Sequence, residues 1–131
     1  VTPEAAGYLD KAQRCLGYAR VNLGVDLGND AGRNAYLAAF HAVQALIFER
    51  TGRVAKTHQG VHAEFSRLTK DDPSIAPELR LFLSQAYNLK AVADYEMGPD
   101  AEVPVEHAAA ALTTAERFVA LISGHVQDVN R

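Results

Sequence analysis

Three places in the sequence gather side chains suited to holding a phosphate or moving a proton. The first lies in the stretch after Gly28, where Arg33, Asn34, Leu37, His41 and Gln44 fall within about a 100° arc when successive residues are turned as in an α-helix. The rest of that segment is apolar nearly all round: Ala35, Tyr36, Ala38, Ala39, Phe40, Ala42, Val43, Ala45, Leu46, Ile47 and Phe48. Polar groups on a buried helix need partners. The arc is therefore either the helix's wet face or the lining of a groove or dimer seam. The second place is Lys56-Thr57-His58, where a loop enters a helix. Free backbone N–H groups and the positive end of the helix dipole suit a phosphate there; the plain alternative is that Thr57 only caps the helix. The third is Lys90 and Asp94, one turn apart, with Tyr87 and Tyr95 close by. Lys ahead of Asp is the weaker orientation for a helical pair, worth about 0.3–0.5 kcal/mol on a surface, so a solvated ion pair is its plain reading.

Other spacings carry less. His58 and His62 are four apart, as two metal ligands on one helix face would be. Residue 59 is Gln where a zinc protease needs Glu, and Glu64 is the only nearby third ligand, so no metal is expected. Arg53 and His58 have a spacing that arises by chance in a chain with this many Arg and His residues. The sequence has no Gly-rich phosphate loop, Ser-His-Asp pattern or zinc-finger spacing.

The elements that must position these residues read as helices. Apolar residues recur at three and four, not two. The first helix runs from about Pro3 to Asp26, with Thr2 as N-cap and Pro3 in the first position. Gly28 and Asn29-Asp30 mark a turn and the next N-cap. The second helix runs to about Arg50 and stops near Gly52. A short third helix follows Thr57. The fourth starts near Pro77 and the fifth near Pro104, with Met97-Gly98-Pro99-Asp100 as the loop between them and a frayed tail after Gln127. In the fifth, Ala108, Leu112, Ala115, Val119, Ile122 and Val126 alternate by four and three, a bundle-packing seam. The expected fold is all-α: an antiparallel bundle of four long helices and one short one, a single domain over residues 1–131 with its core at about 3–126.

Composition narrows the function. Thirteen Lys and Arg against 16 Asp and Glu give a net charge of −3, which argues against coating nucleic acid by bulk charge. A hydrophobic fraction of 48% supports a real core. The single Cys15 excludes an intrachain disulfide and fits a reducing cytoplasm. The longest unbroken apolar run, Ala35 to Phe40, is too short to span a membrane. From Val1 onward no secretory leader pattern is visible. The expected location is the cytoplasm, with no membrane association.

Taken in order, Arg33-Asn34-Ala35-Tyr36-Leu37-Ala38, then Lys56-Thr57-His58, then Ala93-Asp94-Tyr95 resemble the HEPN superfamily, named for higher eukaryotes and prokaryotes nucleotide binding. The resemblance is to its small bacterial and archaeal branch and covers roughly Tyr8 to Ile122. It implies a helical bundle that dimerises through its central helices and stands beside a small nucleotidyltransferase in a toxin–antitoxin-type pair. Many HEPN proteins are metal-independent ribonucleases with an Arg…His motif in the late helix. Here Lys90 stands where that Arg would be and Asp94 where the His would be, so the nuclease activity carries over poorly. What carries over is a nucleotide- or RNA-binding site of Arg33, Tyr36, Lys56, His58, Asp94 and Tyr95. Among these, Arg33, His58 and Asp94 are the candidates for any catalysis, and no cofactor is implied. The expected partners are a second copy, a nucleotidyltransferase-domain protein, and nucleotide or RNA. Two other readings stand beside this one: a catalytically silent dimeric interaction module, and a metal-independent endoribonuclease. The site reading requires its side chains to converge in a semi-buried groove or at a dimer seam.

Overall fold

The computed structural model describes residues 1–95, 97 and 102–127. Five helices follow one another: α1 (Pro3–Gly24), α2 (Gly28–Thr51), α3 (His58–Thr69), α4 (Pro77–Tyr95) and α5 (Val105–Gln127). They form the antiparallel all-α bundle expected from the apolar periodicity, and no strand occurs among the described residues.

The caps follow from local chemistry. Thr2 Oγ1 accepts from the Ala5 N–H at 3.2 Å, and Pro3 follows it at the first helical position. Thr2 also donates its own N–H and hydroxyl to Glu49 Oε1, at 2.9 and 3.0 Å, tying the start of α1 to the last turns of α2. Gly52 ends α2 in the left-handed conformation, φ 71°, with its N–H on the Phe48 carbonyl. That conformation favours a residue without Cβ.

The start of α2 differs from expectation. The helix begins at Gly28, and Leu27 at the cap position supplies no side-chain bond. Asn29 does not cap because its side chain is engaged elsewhere: Oδ1 accepts from the Val103 N–H at 2.6 Å. Gly28 is needed there for a steric reason, since a Cβ would collide with the Val103 carbonyl oxygen.

Helix α2 occupies the middle and packs on all four others. Ala35, Ala38, Ala39, Ala42 and Ala45 are fully buried, letting neighbouring helices approach closely. Larger side chains fill the remainder: Leu46 and Ile47 from α2, Phe65 from α3, Phe82 from α4, Phe118 and Ile122 from α5. Phe118 lies 5.6 Å from the Phe65 ring and 5.7 Å from that of Phe82. The apolarity of α2 is thus satisfied within one chain. Residues 98–100 of the expected loop, and the tail after Gln127, lie outside the described residues. Among the described residues no helix is long and apolar enough to cross a membrane.

Candidate functional site

Thr57 sets the first half of the site. Its Oγ1 accepts from the Gly60 N–H at 3.0 Å and starts α3 at His58. A Cβ at residue 60 would press on that same oxygen, so glycine keeps the cap open. With α3 begun there, His58 and His62 fall one turn apart on the face toward α2. Both meet the hydroxyl of Tyr36, which is fully buried: His58 Nδ1 at 2.7 Å and His62 Nε2 at 3.0 Å. The His58 ring packs among Phe40, Tyr87 and Tyr36, at centroid distances of 4.9, 5.2 and 5.5 Å.

The second half is ionic. Arg33 Nη2 donates to Asp30 Oδ1 at 2.6 Å, and Arg33 Nε stands 3.2 Å from Asp94 Oδ1. The Nε contact is an ion pair without hydrogen-bond alignment, so this buried N–H has no directed acceptor among the described residues. Lys90 Nζ lies 3.0 Å from Asp94 Oδ2 and donates to the Tyr95 hydroxyl at 3.2 Å. The ammonium also sits 4.8 Å from the Tyr95 ring centroid and 5.9 Å from that of Tyr87. Tyr87 therefore contacts both halves.

Electrostatics links them further. Burial pushes the His58 pKa down, the Lys90 ammonium pushes it the same way, and Asp94 opposes both. His62 is also lowered, first by burial and then by His58. Burial raises the Tyr36 phenol, with Tyr87 adding to the effect. The hydrogen bond to Asp94 raises Lys90. At neutral pH the site consists of two neutral imidazoles, a neutral phenol, and Arg33 and Lys90 as cations facing Asp30 and Asp94 as anions. The ionic half has no net charge.

Of the residues expected from the sequence, Arg33 meets Asp94, Tyr36 meets His58, and Tyr95 meets Lys90. Lys56 does not join them. It is exposed, and no hydrogen bond or ion pair among the described residues involves it. Standing two residues before His58 does not set its direction, since it precedes the helix that aims His58 inward. His62, Tyr87 and Lys90 belong to the cluster and were absent from the expected site. The signals were the four-residue spacings 58/62 for His62 and 90/94 for Lys90, with Tyr87 one turn before Lys90.

The cavities meet the expected site at Arg33. A cavity of about 540 Å³ lies between α4 and α5 against Phe82, Ala86, Leu89, His107 and Ala111, and contains none of the expected site residues. Arg33 lines a smaller one of about 290 Å³ with Asn29, Asp30 and Ala93. Apart from Arg33, the polar side chains of the α2 arc find partners inside the chain. Asn34 donates to Asn22 Oδ1 at 2.9 Å, His41 Nδ1 bonds Gln44 Oε1 at 2.7 Å, and Gln44 Nε2 donates to the Ala55 carbonyl at 2.8 Å. No group of three or more His, Cys, Asp and Glu among the described residues is placed to hold a metal.

The chain belongs to the HEPN domain family, whose model matches residues 5–125. At the family level it is a nucleotide- or RNA-associated helical protein. The crystal structure of TT1696 from Thermus thermophilus has the same fold, with a TM-score of 0.77 and 23% identity over 94% of this chain and 98% of that one. No curated protein matches the chain.

Proposed function

We propose that the Arg33–Lys90–Asp94 cluster binds a phosphate of a nucleotide or RNA, and that the chain is the helical partner of a small nucleotidyltransferase in a toxin–antitoxin-type pair. One observation carries this reading: two cations from different helices converge on the single carboxylate of Asp94. A phosphate oxygen can take the place of a carboxylate oxygen between the same donors. His58 supplies a neutral base beside it, and the exposed Tyr95 ring supplies a face for a nucleobase. The test is calorimetric titration of the purified protein with a 5′-mononucleotide and with a short single-stranded RNA. Binding that weakens with salt and is lost in Arg33→Ala is the expected result. No heat with either ligand overturns the phosphate site. Co-expression with a small nucleotidyltransferase encoded beside this chain tests the partnership, which fails if no such reading frame adjoins it or if the two proteins elute separately.

A second reading, the catalytically silent interaction module, is favoured by the balanced charge of the cluster. Asp30 and Asp94 already neutralise Arg33 and Lys90. The endoribonuclease reading is weaker, because the late helix offers Lys90 and Asp94 in place of Arg and His. Cleavage of RNA by pure protein in a chelator would revive it.

We also propose a homodimer. Its support is not α2, which is covered within the chain, but the outer face of α1. Tyr18 and Val21 on α1 are 56% and 68% exposed, and Val25, just past the helix end, is 62% exposed. An isologous second copy packed against these side chains would cover them. Light scattering should give twice the chain mass, and the chain mass alone in Val21→Glu. A wild-type monomer at micromolar concentration defeats this assembly.

A further inference from the structure

The Tyr36 hydroxyl has one hydrogen and touches two imidazole nitrogens, His58 Nδ1 and His62 Nε2. A neutral imidazole carries one N–H and one bare nitrogen. Tyr36 is fully buried, so an unmade bond at its oxygen would not be replaced by water. The hydroxyl must then donate to one ring and accept from the other, which sets the two tautomers together. When Tyr36 donates to His62, His58 holds its proton on Nδ1 and leaves Nε2 bare. When Tyr36 donates to His58, His62 holds its proton on Nε2 and leaves Nδ1 bare. In either arrangement one nitrogen turned away from Tyr36 is bare, and the opposite one carries hydrogen.

We propose that His58, Tyr36 and His62 act as a single one-proton base, with Tyr36 passing the proton between the two rings. Uptake balances as follows. A proton binds bare His58 Nε2. The Nδ1 proton moves to the Tyr36 oxygen, and the Tyr36 proton moves to His62 Nε2. The phenol ends neutral, as it began, and one positive charge rests on the pair. A second proton is opposed by geometry as well as by charge. Two fully protonated rings would both donate to Tyr36, whose own O–H would have no acceptor in its buried position. The charged and titratable groups that face the unit are Tyr87, Lys90 and Asp94 from α4; Arg33 from α2 acts on it through Asp94. Lys90 resists charge at His58 and Asp94 favours it, so their opposition leaves the proton free to be shared. The proposal deepens the phosphate-site reading only in naming the proton's source there. It would be a hydroxyl of the bound nucleotide or RNA, whose oxygen keeps the electron pair.

The test needs no ligand, so its outcome is independent of whether RNA or nucleotide binds. Long-range proton–nitrogen NMR of histidine-labelled protein reads every ring nitrogen from neutral to mildly acidic pH. At neutral pH the two nitrogens bonded to Tyr36 should be of opposite type, one protonated and one bare, or exchange-averaged between the two. Both rings should then shift with one common midpoint as a single proton is taken up. In Tyr36→Phe the rings should titrate with separate midpoints. In His62→Gln, which keeps a hydrogen-bonding group but cannot take a proton, the His58 midpoint should move. The proposal is overturned by independent full titrations in the wild type, or by an unchanged His58 midpoint in His62→Gln. The latter variant decides the matter if Tyr36→Phe does not fold.

Discussion

Lys90 Nζ stands 3.0 Å from Asp94 Oδ2, one turn along α4, with only 11% of the Lys90 side chain exposed. This is more than the solvated pair that the sequence spacing allows. Arg33 arrives from α2 to share the same carboxylate, so Asp94 joins two helices. Asp94→Asn leaves both cations short of charge. It should destabilise the fold by about 1–3 kcal/mol, the cost of leaving partly buried polar groups without their partner. Urea melts check this, and a change within error would show that the junction contributes nothing.

Leu46 is 1% exposed in the C-terminal half of α2. Leu46→Ala removes buried methyl groups and leaves a space that the surrounding helices fill only in part. The expected loss is about 2–5 kcal/mol. A loss below about 1 kcal/mol in the same melts would mean the core closes around the gap far better than close packing allows.

Two glycines should respond in opposite directions to alanine. Gly17 lies inside α1 with no atom within 4 Å of where a Cβ would stand. Gly17→Ala gains helix propensity and should stabilise by about 0.5–1 kcal/mol. Gly28→Ala drives a methyl into the Val103 carbonyl, an overpacking that costs about 1–3 kcal/mol or more. Thermal melts of the two variants should move to opposite sides of the wild type.

Much of this architecture is legible in the sequence because its causes are local. Thr2, Thr57 and Gly52 act as caps within a few residues of themselves. The near-continuous apolar surface of α2 demands a central place. What sequence hides is set by contacts across the chain. Asn29 reads as a cap because its acceptor role toward Val103 depends on a segment 74 residues away. Tyr36 and His58 meet across 22 residues only because α3 packs on α2. The four-residue spacings of His58 with His62 and Lys90 with Asp94 are visible, but spacing alone does not name Tyr36 as the shared partner of one pair or Arg33 as the third member of the other.

Three half-buried histidines give the fold a direction of pH sensitivity. His41, His58 and His62 are all held below the ordinary histidine value of 6.5, first by burial. Between folded and unfolded pKa values the unfolded chain binds more protons than the native one, so stability rises with pH there. This contribution is complete above the unfolded value and is lost as pH falls from about 6.5 toward the folded ones. Glu49 and Asp72 are also lowered, first by bonds from Thr2 and Ser74, but they start from carboxylate values and act at lower pH. The urea midpoint should therefore drop between about pH 7.5 and about pH 5.5, where histidines and not carboxylates titrate. An unchanged or higher midpoint would contradict neutral burial of these rings.

The same Asp94→Asn variant separates the two readings of the ionic cluster. If the cluster holds a phosphate, Asp94 competes with the ligand for Arg33 and Lys90. Removing its charge turns a balanced group of two cations and two carboxylates into one with an excess cation. Affinity for a 5′-mononucleotide should then rise on the order of tenfold, about 1.4 kcal/mol, and fall again at high salt. Arg33→Ala should abolish binding in the wild type and in the Asp94→Asn background, because the guanidinium is then gone from both. Binding is compared at a temperature where melts show each variant folded, which keeps the stability cost of Asp94→Asn out of the result. If the residues serve only as a joint between α2 and α4, Asp94→Asn changes stability and leaves nucleotide affinity at zero. Calorimetry on the three variants decides between a ligand site and a structural junction: tighter binding without Asp94 belongs to the first, and silence in every variant to the second.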